Sequence, residues 1–345
     1  VFEHWAGWDW AESTRRAGWF RGPIEAFRPH HVEELLGIAE GAGVAFEDVL
    51  ALNVRTELMF AGRGQGQADA AFPLECSAFA IVPRGSDGGH ILVGQNWDWL
   101  LHSAETVIVL HVQRDDGPDF VTVVEAGMLA KCGFNASGVG LMTNALVSDE
   151  DVGTPAIPYH VVLRAILDAD SVAEAAATIS GATRSSSANY LLADRSGAAL
   201  DVEAAPGDGS RLATLMAMDG VLVHTNHFVS PSLVGEDLTL ALSPSSPIRL
   251  ERLRVALVSA PSPRSVDVVQ RALADHADDP MAVCGHPDPA RHPLERTATI
   301  ASVIVDLDRQ RMWVAEGPAC GVDYRPLDLE TRGETQLRPQ PEAGN

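Results

Sequence analysis

The sequence predicts an α+β protein in which sizeable antiparallel sheets are layered with helices, and three observations carry that prediction. Short, β-branched-rich runs follow one another between residues 77 and 146 and return between 188 and 317. The interruptions of the first group, "RGSDGG", "DDGPD" and "NASG", have the glycines, aspartates and asparagine of tight turns, so consecutive runs pair antiparallel. Segments with apolar residues at helical spacing precede the first group and lie between the strand groups.

In chain order, "HHVEELLGIAEGAGVAFEDVLALNVRTELM" (30–60) predicts two helices joined at the turn around Gly41 and Gly43. "AGRGQGQADA" (61–70) reads as an exposed, mobile loop. The first strand group is "SAFAIVP", "HILVGQNWDW", "TVIVLHVQR", "FVTVVEAG" and "GVGLMTNAL". Helical spacing resumes over 158–180, 249–259 and 265–276. The second group comprises "ANYLLADRSGAALDVEAAP", "GVLVHTNHF" and "TIASVIVDLDRQRMWVAEG". Beyond about Leu329 a Pro-, Glu- and Arg-rich stretch reads as a loose tail. No internal repeat and no long linker interrupts the series.

A chain of 345 residues, 46% hydrophobic, can bury a substantial core and is not disordered. A formal charge of −22 and a pI near 4.8 repel nucleic acid and anionic membrane surfaces, so neither is an expected partner. Neither a secretory signal nor an apolar run of transmembrane length is read, and a soluble cytoplasmic protein is the expectation.

Cys76, Cys132, Cys284 and Cys320 are far apart and form no C-x-x-C pair or disulfide framework. The ordinary expectation for each is a buried, inert thiol. Cys76 is set apart by its context, "AFPLECSAF", directly after the Gly/Gln-rich stretch. A cysteine acts as a nucleophile only as its thiolate, and no histidine adjoins this one. Cutting the peptide bond before Cys76 would free an α-amine with a pKa of about 7.7–8.0, a base on the same residue as the thiol.

The strings "ECSAF", "GQNWDW", "GFNASGVGLMTNAL", "HTNHF", "SPIRLERL" and "ASVIVDLDRQRMWVAEGPAC", in this order, carry a family resemblance. The chain resembles the penicillin acyltransferase-like family of cysteine N-terminal nucleophile hydrolases, the acyl-coenzyme A:6-aminopenicillanic acid acyltransferase type, which is related to the choloylglycine hydrolases. The likeness runs from "EGAGVAFEDVLALN" to about Pro326. It implies a four-layer αββα sandwich and a precursor that cuts itself between Glu75 and Cys76. Residues 1–75 would become a small subunit, 76–330 the catalytic core, and 331–345 a tail, with the fragments remaining associated. It also implies amide hydrolysis or acyl transfer on a small N-acyl substrate, with no cofactor.

The resemblance assigns site residues as well. Cys76 is nucleophile for self-cleavage, and its freed amine is the base for the later reaction. Asp98 matches an active-site aspartate that would orient the ammonium of Cys76. Asn226 matches an oxyanion donor, Asn144 a second polar position, and Arg249 an active-site arginine whose fork would hold Asp98 or the surroundings of the scissile carbonyl. Trp97 and Trp99 flank Asp98, one for the core and the other for a substrate pocket. Ser245 and Ser246 lie near Arg249, and neither is assigned a role.

Other readings are weaker. The histidines of "HTNH" (224 and 227) would face opposite sides of a strand, so no metal site is expected there or elsewhere. "FNASGVG" lacks the first glycine of a nucleophile elbow, and "GRGQGQ" does not sit between a strand and a helix. The remaining alternative is an inactive, unprocessed relative that binds a small molecule. For an active enzyme, Cys76 is expected to be the most reactive thiol.

Overall fold

The computed structural model describes residues 1–64, 75–83 and 89–329. Its first part is a helical layer: α1 (Phe2–Trp5), α2 (Trp10–Ala17), α3 (Arg21–Phe27), α4 (Pro29–Ala42), α5 (Phe46–Asn53) and α6 (Arg55–Gly64). Asp9 caps α2 by accepting from the Glu12 amide at 2.8 Å. Pro29 opens α4, where a missing N–H costs nothing, and Gly43 closes it at φ +67°, a conformation that favours glycine. The helices expected over 30–60 are therefore present, divided once more between Asn53 and Arg55. Residues 61–64, expected in a loop, continue α6; the rest of that stretch and the tail from 330 lie outside the described residues.

The strands are β1 (Glu75–Ile81), β2 (Leu92–Leu100), β3 (Val107–Val112), β4 (Phe120–Glu125), β5 (Cys132–Asn135), β6 (Val139–Ala145), β7 (Ala188–Asp194), β8 (Ala199–Ala204), β9 (Leu212–Leu215), β10 (Val221–His224), β11 (Thr297–Asp306), β12 (Arg311–Ala315) and β13 (Arg325–Asp328). Helices α7 (Tyr159–Ile166), α8 (Val172–Gly181), α9 (Thr239–Leu242), α10 (Ser246–Val258) and α11 (Val266–Leu273) complete the described elements. The strands form two antiparallel sheets, β10-β1-β2-β11-β12-β13 and β3-β4-β5-β6-β7-β8-β9. Each sheet draws on both strand groups of the sequence, so neither group is a sheet by itself.

Three apolar layers show how the sheets stack. Val93, Val121, Met142, Leu191 and Val303 fill the space between the two sheets. Phe20, Leu35, Leu50, Val162 and Ile179 pack the outer face of the seven-stranded sheet under α2–α8. Leu253, Leu257, Val269 and Leu273 of α10 and α11 cover the six-stranded sheet. The result is the αββα sandwich that the resemblance implies. Because most strands are covered on both faces, they read as continuous apolar runs rather than clean alternation; β2 is buried throughout.

Strand β2 places the motif "GQNWDW". A Cβ at Gly94 would lie 2.4 Å from the Val303 carbonyl oxygen and 2.7 Å from the Phe79 ring, so only glycine lets β2 approach its neighbours. Gln95 Oε1 accepts the Thr143 amide of the facing sheet at 2.8 Å. Asn96 donates to the carbonyls of Leu273 and Val283, tying α11 and the loop after it to the sheet. Asp98 lies opposite Glu75 of β1 and Thr299 of β11, where β11 shifts register between Thr299 and Ala301.

Candidate active site

Cys76 is the second residue of β1, paired with Trp97, and is buried in the inter-sheet cluster. Three side chains converge on its backbone. Its N–H donates to Asn226 Oδ1 at 2.6 Å. Its carbonyl oxygen accepts from Arg249 Nη1 at 2.7 Å and from Asn144 Nδ2 at 3.1 Å. Asn144 comes from β6, Asn226 from just past β10, and Arg249 from the first turn and a half of α10, all fully or almost fully buried.

Each is fixed by further bonds. Arg249 also donates to Asn226 Oδ1 at 3.0 Å, Ser77 Oγ at 3.0 Å, Ser243 Oγ at 3.2 Å and Ser245 Oγ at 3.1 Å. Ser245 in turn donates to the carboxylate of Glu75, the residue preceding Cys76, at 3.0 Å. The Asn226 amide N–H donates to Ser246 Oγ at 2.8 Å, and Asn226 Nδ2 to the Ala145 carbonyl at 3.0 Å. Asn189 Nδ2 donates to Asn144 Oδ1 at 3.2 Å. The serines left without a role by the sequence are thus the brackets of Arg249 and Asn226. Arg249 grips Cys76 itself, and the described hydrogen bonds do not join it to Asp98.

Asp98 accepts a short hydrogen bond from Thr299 Oγ1, which also receives the Gly285 N–H at 2.9 Å. Burial pushes its carboxyl up to about 7, against the pull of Arg249 and Thr299. In the uncut chain the Cys76 nitrogen is held by Asn226 rather than by Asp98. Burial likewise pushes the Cys76 thiol up to about 11, with the nearby Lys131 ammonium pulling it down. A thiol in that state needs a base at the moment of reaction.

A cavity of about 20 Å³, room for about one water, adjoins the thiol and is lined by Cys76, Trp97, Asp98, Trp99, Lys131 and Asn226 among others. Both tryptophans line it, where one was expected to pack away from it. Lys131 Nζ lies 4.9 Å from the Trp97 ring centre and 5.5 Å from that of Tyr159. Burial lowers the Lys131 pKa, and the Cys76 charge opposes that. Arg55 lies over Trp99 and forms a buried two-pronged pair with Glu125. Lys131 is the single lysine in the sequence, a signal that composition alone offers. Arg55, Tyr159 and Thr299 carry no such mark.

The histidines of "HTNH" go separate ways. His224 Nε2 bonds Glu203 at 2.9 Å, and His227 Nδ1 bonds Ser246 Oγ at 2.8 Å. Glu203, the partner of His224, comes from β8, and the two rings share no ligand position among the described residues. Cys320 is exposed while Cys76, Cys132 and Cys284 are buried.

A family model described as acyl-coenzyme A:6-aminopenicillanic acid acyl-transferase matches residues 84–319. A curated relative, the acyl-coenzyme A:6-aminopenicillanic-acid-acyltransferase 40 kDa form of Emericella nidulans, is 30% identical over 200 residues. That match covers 58% of this chain and 52% of the relative, so the chain spans about half the relative's length. Among solved structures, a mutant conjugated bile acid hydrolase from Clostridium perfringens aligns at 14% identity and TM-score 0.48, over 73% of this chain and 96% of that one. A Caenorhabditis elegans N-acylethanolamine-hydrolyzing acid amidase ortholog aligns at 16% identity and TM-score 0.48, over 67% and 93%. With its family model matching well over half of its length, the chain belongs to the acyl-coenzyme A:6-aminopenicillanic acid acyl-transferase family.

Proposed function

We propose that this chain is a self-processing cysteine amidohydrolase or acyltransferase that cleaves or forms the amide bond of a small N-acyl compound through a thioester on Cys76. The observation that carries this reading is the convergence of Asn144, Asn226 and Arg249 on the backbone nitrogen and oxygen of Cys76. An inert core thiol requires only apolar packing. Buried backbone groups need partners in any fold, but one partner each would satisfy these; a charged guanidinium and two amides from three separate elements gathered on this one residue support a backbone held through chemistry.

In maturation, the Cys76 sulfur attacks the Glu75 carbonyl carbon, the C–N bond to Cys76 breaks, and the Glu75 acyl group passes to sulfur. The released nitrogen takes up the thiol proton. Water then hydrolyses the thioester, returning the thiol and leaving a carboxylate on Glu75. Arg249 and Asn144 keep the Cys76 carbonyl still while its nitrogen becomes free, and Asn226 already holds that nitrogen.

In turnover, the α-amine takes the thiol proton and sulfur attacks the substrate's amide carbonyl. Asn226 Nδ2 bears two hydrogens, of which Ala145 takes one, and the other is the proposed oxyanion donor. The amine product leaves with the proton held by the α-ammonium. Water resolves the thioester to an acid, or a second amine resolves it to a new amide. Lys131 favours the thiolate electrostatically, and Asp98 as a carboxylate steadies the ammonium. The small fragment stays bound because Phe20, Leu35 and Leu50 are part of the outer core and Glu57 accepts from the Tyr159 amide and from Ser186.

N-terminal sequencing of the purified protein, together with release of amine from a panel of N-acyl amines and thioesters, tests this reading. A new N-terminus at Cys76 and thiol-dependent turnover are expected. An uncut chain that binds N-acyl compounds without turning them over would favour the inactive binding protein instead.

A further inference from the structure

The loop from α11 to β11 runs through residues 274–296 with only one short turn of helix, at Pro293–Glu295. It brings His276, Cys284 and His286 against Cys320 of the β12–β13 connection. The donor atoms of all four lie within 4.8 Å of one another. His276 Nε2 and His286 Nε2 are 2.8 Å apart, and the sulfurs of Cys320 and Cys284 lie 3.4 and 3.9 Å from His286 Nε2. We propose that these four residues bind a structural zinc ion that fastens the two connections together at the edge of the active site.

The donor set and its spacing both fit. Zinc in closed sites is tetrahedral, with Zn–N of about 2.0–2.1 Å and Zn–S of about 2.3 Å, which puts N···S near about 3.6 Å and N···N near about 3.3 Å. The observed N···S distances bracket that value, while the imidazole nitrogens, at hydrogen-bond distance, would part by about half an ångström to admit the ion. Hydrogen bonding alone would crowd both thiols and the His276 ring onto the one His286 Nε2, with the thiols otherwise meeting each other, whereas one ion satisfies all four donors at once. Two thiolates and two neutral imidazoles balance the ion's charge, so binding releases two protons from the thiols. Spacings of seven, one and thirty-three intervening residues give no sequence motif, so only the fold assembles the set.

The site also bears on the catalytic aspartate. Cys284 and His286 flank Gly285, whose N–H donates to Thr299 Oγ1 at 2.9 Å and whose carbonyl accepts the Thr299 amide at 3.1 Å. Thr299 passes its own proton donor to Asp98. A zinc ion on both neighbours of Gly285 therefore fixes the support of Asp98 without touching substrate. These four are positioning residues.

The inference does not depend on the proposed activity, and the full chain carrying Cys76→Ala is the material for its test. Zinc measured by mass spectrometry of the purified, reduced protein should be one ion per chain. After chelation, added Zn2+ should rebind with release of about two protons, raise the melting temperature and protect Cys320 from iodoacetamide. Co2+ in place of Zn2+ should give a tetrahedral visible spectrum. Cys320→Ser, at an exposed position that the fold tolerates, should lower Zn2+ affinity at least tenfold, and His286→Ala should do the same. The proposal is overturned if the reduced chain takes up no Zn2+, if both variants retain wild-type affinity, or if peptide mapping of protein prepared without reductant finds Cys284 and Cys320 joined as a disulfide.

Discussion

Asp98 sits where its charge is least welcome. Its carboxyl is about 7 in the fold against 3.8 outside it, so the folded state binds the proton more tightly. A raised pKa contributes stability that is complete below the unfolded value and disappears as pH climbs through about 7. Asp98→Asn should therefore melt higher than the parent at pH 8, with the difference vanishing near pH 4, while turnover falls; thermal unfolding across that range checks the sign. Asn226→Ala should reduce turnover by about 10²–10³. It should also lower stability by about 1–3 kcal/mol for each buried partner left unpaired, since the Cys76 amide and the Ala145 carbonyl both lose a bond. Lys131→Met removes the cation that pulls the Cys76 thiol down, so the pH profile of Cys76 alkylation should move to higher pH with the fold intact. Activity of the mature enzyme should show a rising limb between about pH 5 and 8 as the α-amine loses its proton. Cys76, Asp98, Asn144, Asn226 and Arg249 were legible because each lies in a short, recognisable string. Lys131, Arg55, Tyr159 and Thr299 were not, because what places the first three beside Cys76 and the last beside Asp98 is pairing between distant strands and helices.

At the scale of elements, the long periodic segments were readable and the short ones were not. α4, α5, α10 and α11 overlap the helical spacing that predicts them, α10 starting three residues earlier, and β1–β4 and β6 overlap their apolar runs. β5 ("CGFN") and β9 ("LATL") are four residues each, too short for a period to register, and β13 contains Pro326, tolerable because it is an edge strand. The small helices of residues 1–27 likewise have too few turns for a sustained stripe. β1 and β2 are neighbours in sequence, but their outer partners, β10 on β1 and β11 on β2, lie more than a hundred residues away, which local pattern does not encode. Gly94 shows what that assembly demands. Gly94→Ala should cost about 1–3 kcal/mol or more, because the Val303 carbonyl that a Cβ would meet is sheet backbone and cannot turn aside. Urea unfolding gives the difference, with an unchanged slope expected if only the native state is affected.

In the whole molecule, helices α1–α6 are not an appendage laid over the sandwich. They supply much of the outer core, and Glu57 reaches across to α7 and to Ser186. A chain cut after Glu75 would thus keep its first fragment as part of the core, bound by apolar area instead of a peptide bond. The cavity beside Cys76 remains small while Glu75 is attached, its carboxylate held by Ser245. Release of the bond is what would open room for a substrate at the sulfur. The measurement that reaches this claim most directly is intact-mass analysis of the purified wild-type chain beside Cys76→Ala. The account predicts two co-eluting wild-type fragments, one ending at Glu75 and the other beginning at Cys76, and a single uncut chain for the variant. A wild-type chain that stays whole on prolonged incubation, or a Cys76→Ala chain that parts at the same bond, would contradict it.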